Sequence, residues 1–222
     1  MVASRALTVL GALLLLLAAP SAAAAAGECL SVENFAKGKV GEFPPDWKPR
    51  KETGRAVYAI REQGGLRYLH ATARGLGIQA AKAYEWDLAR YPVLAWSWRP
   101  VEFPAGSDER HAKTNDSALA VYAVFAHTSW SVKSLKYIWS AVVPVGTHLT
   151  SSAGLTQARV LRSGTPGSSG WVEERANVLD DYRKYFGDGG IPTPGGIAVL
   201  TDSDDTASSA QGDYANFRLC EP

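Results

Sequence analysis

GGIAVLTDSDDTASSAQGDYANFRL, residues 195–219, reads as a buried strand, an acidic loop and a closing strand. The run Ile197-Ala198-Val199-Leu200 within Gly196 to Thr201 is apolar without alternation, which suits a strand covered on both faces. Asp202 to Asp213 reads as a loop and Tyr214 to Cys220 as the last strand. The loop sets Asp202, Asp204 and Asp205 beside one another, and neighbouring carboxylates repel unless a cation, an arginine or water screens them.

Working outward, Cys220 ends that strand, and the only other cysteine, Cys29, opens the first one, Cys29 to Phe35. In an exported chain two terminal cysteines form one disulfide most simply, which would lay the first and last strands side by side. The alternative is a pair of free buried thiols. Between the two ends come many short apolar runs punctuated by glycine and proline. Arg55 to Ile60 and Leu66 to Thr72 flank Gln63-Gly64-Gly65, a hairpin signal. Ile78 to Trp86 reads as a further strand. Val93 to Arg99 alternates, with Leu94, Trp96 and Trp98 on one side. In Asp116 to Phe125, Leu119, Val121 and Phe125 are bulky, while Ala118 and Ala120 beside Tyr122 leave room above the sheet. Leu135 to Val143 and Ala158 to Arg162 follow. Trp171 to Gly187 begins as a strand and ends, through Leu179, Tyr182 and Phe186, as a short helix stopping at Gly187. Such a chain is expected to be an all-β antiparallel sandwich, and adjacent terminal strands suit a jelly roll.

Residues 1–26 have the form of a secretory signal: Arg5, an apolar core from Ala6 to Ala19, and small residues from Ser21 to Ala26. A permanent anchor is disfavoured because that core is too short and runs into Pro20. Residues 27–222 are then one domain of ordinary size, periplasmic or secreted. The chain has 23 Lys+Arg and 22 Asp+Glu; removing Arg5 leaves 22 against 22. A neutral domain without a basic stripe argues against nucleic acid and against stable attachment to an anionic membrane. A monomer is expected.

Strand parity could turn Arg99, Asp116, Tyr122, Tyr137, Trp139, Glu173 and Arg175 to one side. Aromatic rings stack on sugar faces and charged pairs bind hydroxyls, so this set suits a carbohydrate or another polar small molecule. Packing of the same aromatics in the core is the alternative. Asp202, Asp204 and Asp205 are the candidate metal ligands, with calcium the natural ion, although Ala207 replaces the glycine of a helix-flanked calcium loop. A solvated turn, or ion pairs with Arg175 or Arg110, would equally account for them. No catalytic residue is assigned. Glu173 or Glu174 with Asp116, or Asp202 with Asp205, would be the acids of a glycan hydrolase. There is no G-x-S-x-G elbow, the four histidines are scattered, and Gly75-x-Gly77-x-x-Ala80 reads as a plain turn.

The segments FPPDW (43–47), LAWSWRP (94–100), DSALAVYAVF (116–125), LKYIWS (135–140), WVEERANVLDDYRKYFG (171–187), GIAVLTDSDDT (196–206) and DYANFRL (213–219) occur in an order that resembles the bacterial domain-of-unknown-function family numbered 3047. That resemblance carries no catalytic or binding residue with it. More weakly, residues 213–217 resemble the last strand of galactose-binding-like jelly rolls. This second likeness implies a sugar on a loop edge or concave face and a structural calcium.

Overall fold

These runs fold, in a computed structural model that describes residues 27–165 and 170–222, into thirteen strands and one helix. The expected leader lies outside the described residues. In chain order the first strands are β1 (Cys29–Glu33), β2 (Lys48–Pro49), β3 (Tyr58–Gln63), β4 (Leu66–Arg74) and β5 (Ala80–Ala83). Next come β6 (Val93–Glu102), β7 (Leu119–Ala126), β8 (Val132–Ser140), β9 (His148–Ser151) and β10 (Thr156–Ser163). The chain closes through β11 (Val172–Asn177), the helix α1 (Val178–Phe186), β12 (Pro194–Leu200) and β13 (Ser209–Cys220).

Two sheets stack face to face as the expected jelly-roll sandwich. The first has the order β11-β6-β13-β4-β3, with β1 also on β13; the second has the order β2-β5-β12-β7-β8-β10-β9. Pairing is antiparallel except between β10 and β8, which run parallel. β13 is long enough for β4 to pair with its first half and β1 with its second. Cys29 faces Cys220 in that register, and the two form a disulfide with an S–S distance of 2.08 Å. The free-thiol alternative is thereby set aside.

Alternation decides what lies between the sheets. Trp96 and Trp98 of β6 point inward and meet Tyr137 and Trp139 of β8, each at 5.6 Å between ring centroids. Leu119, Val121, Ala123 and Phe125 form the inner face of β7, and Ile197 and Val199 that of β12. Tyr214 of β13 crosses the interior: its hydroxyl donates to Leu200 O at 2.8 Å and lies 2.9 Å from Thr201 Oγ1. Each such bond satisfies a polar group that water cannot reach.

The hairpin turn falls at Gly64 and Gly65, both with positive φ (59° and 81°), as a two-residue turn requires. Strand-then-helix at Val172 to Phe186 follows the reading of that segment. The Asn177 side chain caps α1 by accepting from Asp180 N at 3.0 Å, and Gly187 ends it at φ 89°.

Several elements differ from expectation: the strand expected from Asp116 starts at Leu119, and the one expected over Leu135 to Val143 runs Val132–Ser140. Residues Arg55 and Ala56 belong to a 3₁₀ turn, so β3 starts at Tyr58. Only Ala80–Ala83 of the Ile78 to Trp86 segment is a strand. β13 starts at Ser209 and takes in Asp213, which was read as loop. Ala210 and Gly212 are small enough to lie under the second sheet there, and a Cβ at Gly212 would collide with Leu119. β9, a polar edge strand, has no apolar alternation to announce it.

Candidate functional site

The residues singled out from the sequence fall on separate surfaces. Tyr137 and Trp139 are buried between the sheets, because they share a face with Val121 and Leu119 of β7. Arg99, Glu173 and Arg175 stand on the outer face of the first sheet. Tyr122 stands on the outer face of the second, and Asp116 lies in the loop entering β7. Parity gave the alternation correctly but could not say which face of a strand meets the opposite sheet.

On the first sheet the polar groups satisfy one another. Arg99 donates from Nε and Nη2 to Asp213 Oδ2 at 2.8 and 2.6 Å, and its guanidinium lies 4.8 Å from the Trp171 ring centroid. The other oxygen of Asp213 is 2.7 Å from His70 Nδ1, and His70 Nε2 is 3.0 Å from Thr72 Oγ1. Glu173 pairs with Arg218 at 2.8 Å rather than with Arg175. Asp213 is almost wholly buried, so this chain of bonds spends its charge on the fold.

The outer face of the second sheet is different. Ala81, Ala198 and Tyr122 lie in register across β5, β12 and β7, with Lys136 of β8 opposite Tyr122 and Ala158 of β10 opposite Lys136. The alanines leave a groove of about 660 Å³ above the sheet. Tyr122, Lys136 and Asp202 line its floor; Lys48 and Arg50 line one side, and Trp130 in the β7–β8 turn lines another. Trp130 is 96% exposed. A smaller hollow of about 280 Å³ adjoins the groove, and Asn115, Lys136 and Ser151 line both. Lys136, Trp130 and Asn115 were not among the sequence candidates. The small residues flanking Tyr122 were one available signal, and a tryptophan inside the polar turn Thr128-Ser129-Trp130-Ser131 was another.

A ladder of carboxyl groups closes one end of the groove. Asp116, wholly buried, accepts from Thr206 N at 2.7 Å, Thr206 Oγ1 at 2.5 Å and Asp205 N at 3.2 Å. Burial opposes its ionisation, but hydrogen bonds from Thr206 and Asp202 outweigh that and hold its carboxyl below the usual range. Asp202 accepts from Ser117 N at 3.0 Å. Burial, together with its bond to Asp116, pushes the Asp202 carboxyl up to about 8, against the pull of Lys136. The two neighbouring acids are thus pushed in opposite directions. Lys136 is itself buried. Burial works against its charge, yet Tyr122, Asp202 and Glu109 raise its pKa above the ordinary value. Glu109 accepts from Ser117 Oγ at 3.1 Å and Ser140 Oγ at 2.5 Å.

The acidic loop therefore divides. Asp204 and Asp205 join Asp116, with one oxygen from each within 4.8 Å of the others, while Asp202 turns toward the groove. Gly77 bridges to Asp202, and a Cβ at Gly77 would meet the exposed Asp204 carboxylate, which would have to shift. Arg110 pairs with Asp108 at 2.6 Å, and Arg175 points its Nη1 at Cys220 Sγ at 3.6 Å. Neither arginine neutralises the loop.

Several solved structures align with this chain at low similarity. A glycoside hydrolase domain, Endo-D, from Streptococcus pneumoniae R6 aligns over 79% of this chain and 21% of its own, at 10% identity and a TM-score of 0.39. The chain spans about a fifth of that protein's length. The Emp46p carbohydrate recognition domain aligns over 86% of this chain and 95% of its own, at 11% identity and a TM-score of 0.48. Endoglucanase 3 of family GH12 from Trichoderma harzianum aligns over 90% and 99%, at 12% identity and a TM-score of 0.41. None of the curated proteins matches the sequence significantly. The model of the family described as Protein of unknown function (DUF3047) matches residues 45–218, and the chain belongs to that family.

Proposed function

We propose that this family member binds a glycan, without cleaving it, in the groove on the outer face of its second sheet. The observation that carries this reading is Trp130, fully exposed at the edge of a 660 Å³ groove whose floor is alanine, tyrosine and polar side chains. A large ring left in water offers a stacking face for a sugar, while Asn115 and Ser134 supply donors and acceptors for hydroxyls. Isothermal titration of the protein with a panel of oligosaccharides tests it. At least one should bind, and Trp130→Ala should weaken that binding by about tenfold without lowering the melting temperature. A panel that gives no heat, or binding indifferent to Trp130, defeats the reading.

A second reading, glycan hydrolysis, has one observation in its favour: Asp202 lines the groove as a neutral acid at neutral pH. Its nearest carboxyl neighbour is unsuited to the second role, because Asp116 is wholly buried and fully engaged with Thr206 and Asp205. Release of reducing ends by the wild type, lost in Asp202→Asn, would favour hydrolysis over binding.

The disulfide and the leader-like residues 1–26 support an exported protein, since such bonds persist in oxidising compartments. No helix among the described residues is long and apolar enough to cross a membrane.

A further inference from the structure

Three cations line the groove, and none of them makes an ion pair within 4.0 Å among the described residues. Lys136 rises from its floor, and Lys48 and Arg50 stand at one side. The two at the side are exposed. Lys136 is not: it is only 9% exposed, with its nitrogen 5.8 Å from the Tyr122 ring centroid. Burying an ammonium without a directly bonded carboxylate is unfavourable, and an anion brought by a ligand would offset that cost. The acids nearby do not serve. Glu109 is committed to two serine hydroxyls, Asp116 to the Thr206 and Asp205 backbone, and Asp202 is the one acidic residue lining this groove. Among the described residues Asp202 makes no ion pair with Lys136 within 4.0 Å.

Resting on the glycan reading above, we infer that the bound sugar is anionic, with its acidic groups drawn to Lys136 and to Arg50 along the groove. A carboxylate on the sugar ring, as in a uronic acid, meets a flat guanidinium through two parallel bonds and a lysine through one. A sulfate ester would offer the same oxygen chemistry. Stacking on Trp130 would hold the ring while the charge fixes its register along the groove.

The test compares oligogalacturonate with its full methyl ester, a neutral glucan oligosaccharide and a sulfated oligosaccharide of similar length, by calorimetry at low and high salt. The acid should bind about tenfold more tightly than its ester, and the advantage should shrink with salt. It should also shrink in Lys136→Met and, independently, in Arg50→Ala, which lies on the exposed side and leaves the sheet intact. Circular dichroism confirms that each variant is folded. Preference for the sulfated probe alone would support an anion seat and assign it to sulfate. Equal, Trp130-dependent binding of acid, ester and neutral glucan overturns the anionic inference and leaves glycan binding standing. No binding by any probe, or anion preference unchanged in Arg50→Ala and Lys136→Met, overturns it as well.

Discussion

Asp202 is one of three adjacent aspartates in its loop, yet its environment is its own. It sits against Asp116 at the end of a groove, largely out of water, and burial raises its carboxyl from 3.8 to about 8. The folded protein therefore holds a proton there that the unfolded chain releases above pH 3.8. Where the native state binds more protons, stability falls as pH rises. Between about pH 4 and pH 8 this one group should lower stability by as much as about 1.4 kcal/mol per unit, and above pH 8 its contribution should level off. Asp116 has the opposite sign: its lowered carboxyl favours the fold above its unfolded value, and that contribution is lost as pH falls through the folded one. Denaturant unfolding of wild type and Asp202→Asn across this range isolates the effect, because the amide has no proton to lose. A wild-type slope identical to that of the variant would show that Asp202 does not titrate this way. The three aspartates were visible in the sequence, but their division between groove and loop was not. It depends on Asp116, which is distant from them in the chain but adjacent in space.

At the scale of elements, β13 does most to join the sheets. Its Tyr214 reaches through the core to Leu200 O and Thr201 Oγ1 and accepts from Ala120 N at 3.3 Å. Tyr214→Phe keeps the ring and strands those partners, which should cost about 1–3 kcal/mol of stability, read as a lower denaturant midpoint with an unchanged slope. The same strand shows what a sequence conveys and what it withholds. Its apolar residues Tyr214, Phe217 and Leu219 announced a strand, and Trp96 and Trp98 did the same for β6. The extension to Ser209 was hidden, because Ala210 and Gly212 look like loop residues until Leu119 of the facing sheet claims the space above them. β9 and the 3₁₀ turn at Glu52–Ala56 were likewise hidden, being polar and set by their neighbours rather than by their own pattern. For the site, alternation gave Tyr122 and the small residues beside it. Lys136 remained invisible, since a lysine at that parity reads as solvent-facing until the loops of both hollows rise around it.

For the whole molecule, the Cys29–Cys220 bond spans 191 residues of sequence. A closure that long removes much of the unfolded chain's freedom, with a contribution of up to about 5 kcal/mol on the chain-entropy account. Reduction, or Cys29→Ser with Cys220→Ser, should lower the melting temperature by about 10 °C or more while leaving the strand signal of the native state in place. A melting temperature insensitive to reductant would show that the pairing of β1 with β13 holds without it. That pairing has another consequence. The order of strands in space is indifferent to where the polypeptide is cut, because residues 29 and 220 already touch at a Cα–Cα distance of 4.1 Å. Splicing the two ends with a short linker and opening new ones at Gly64–Gly65 would give a circularly permuted gene whose product keeps every strand neighbour.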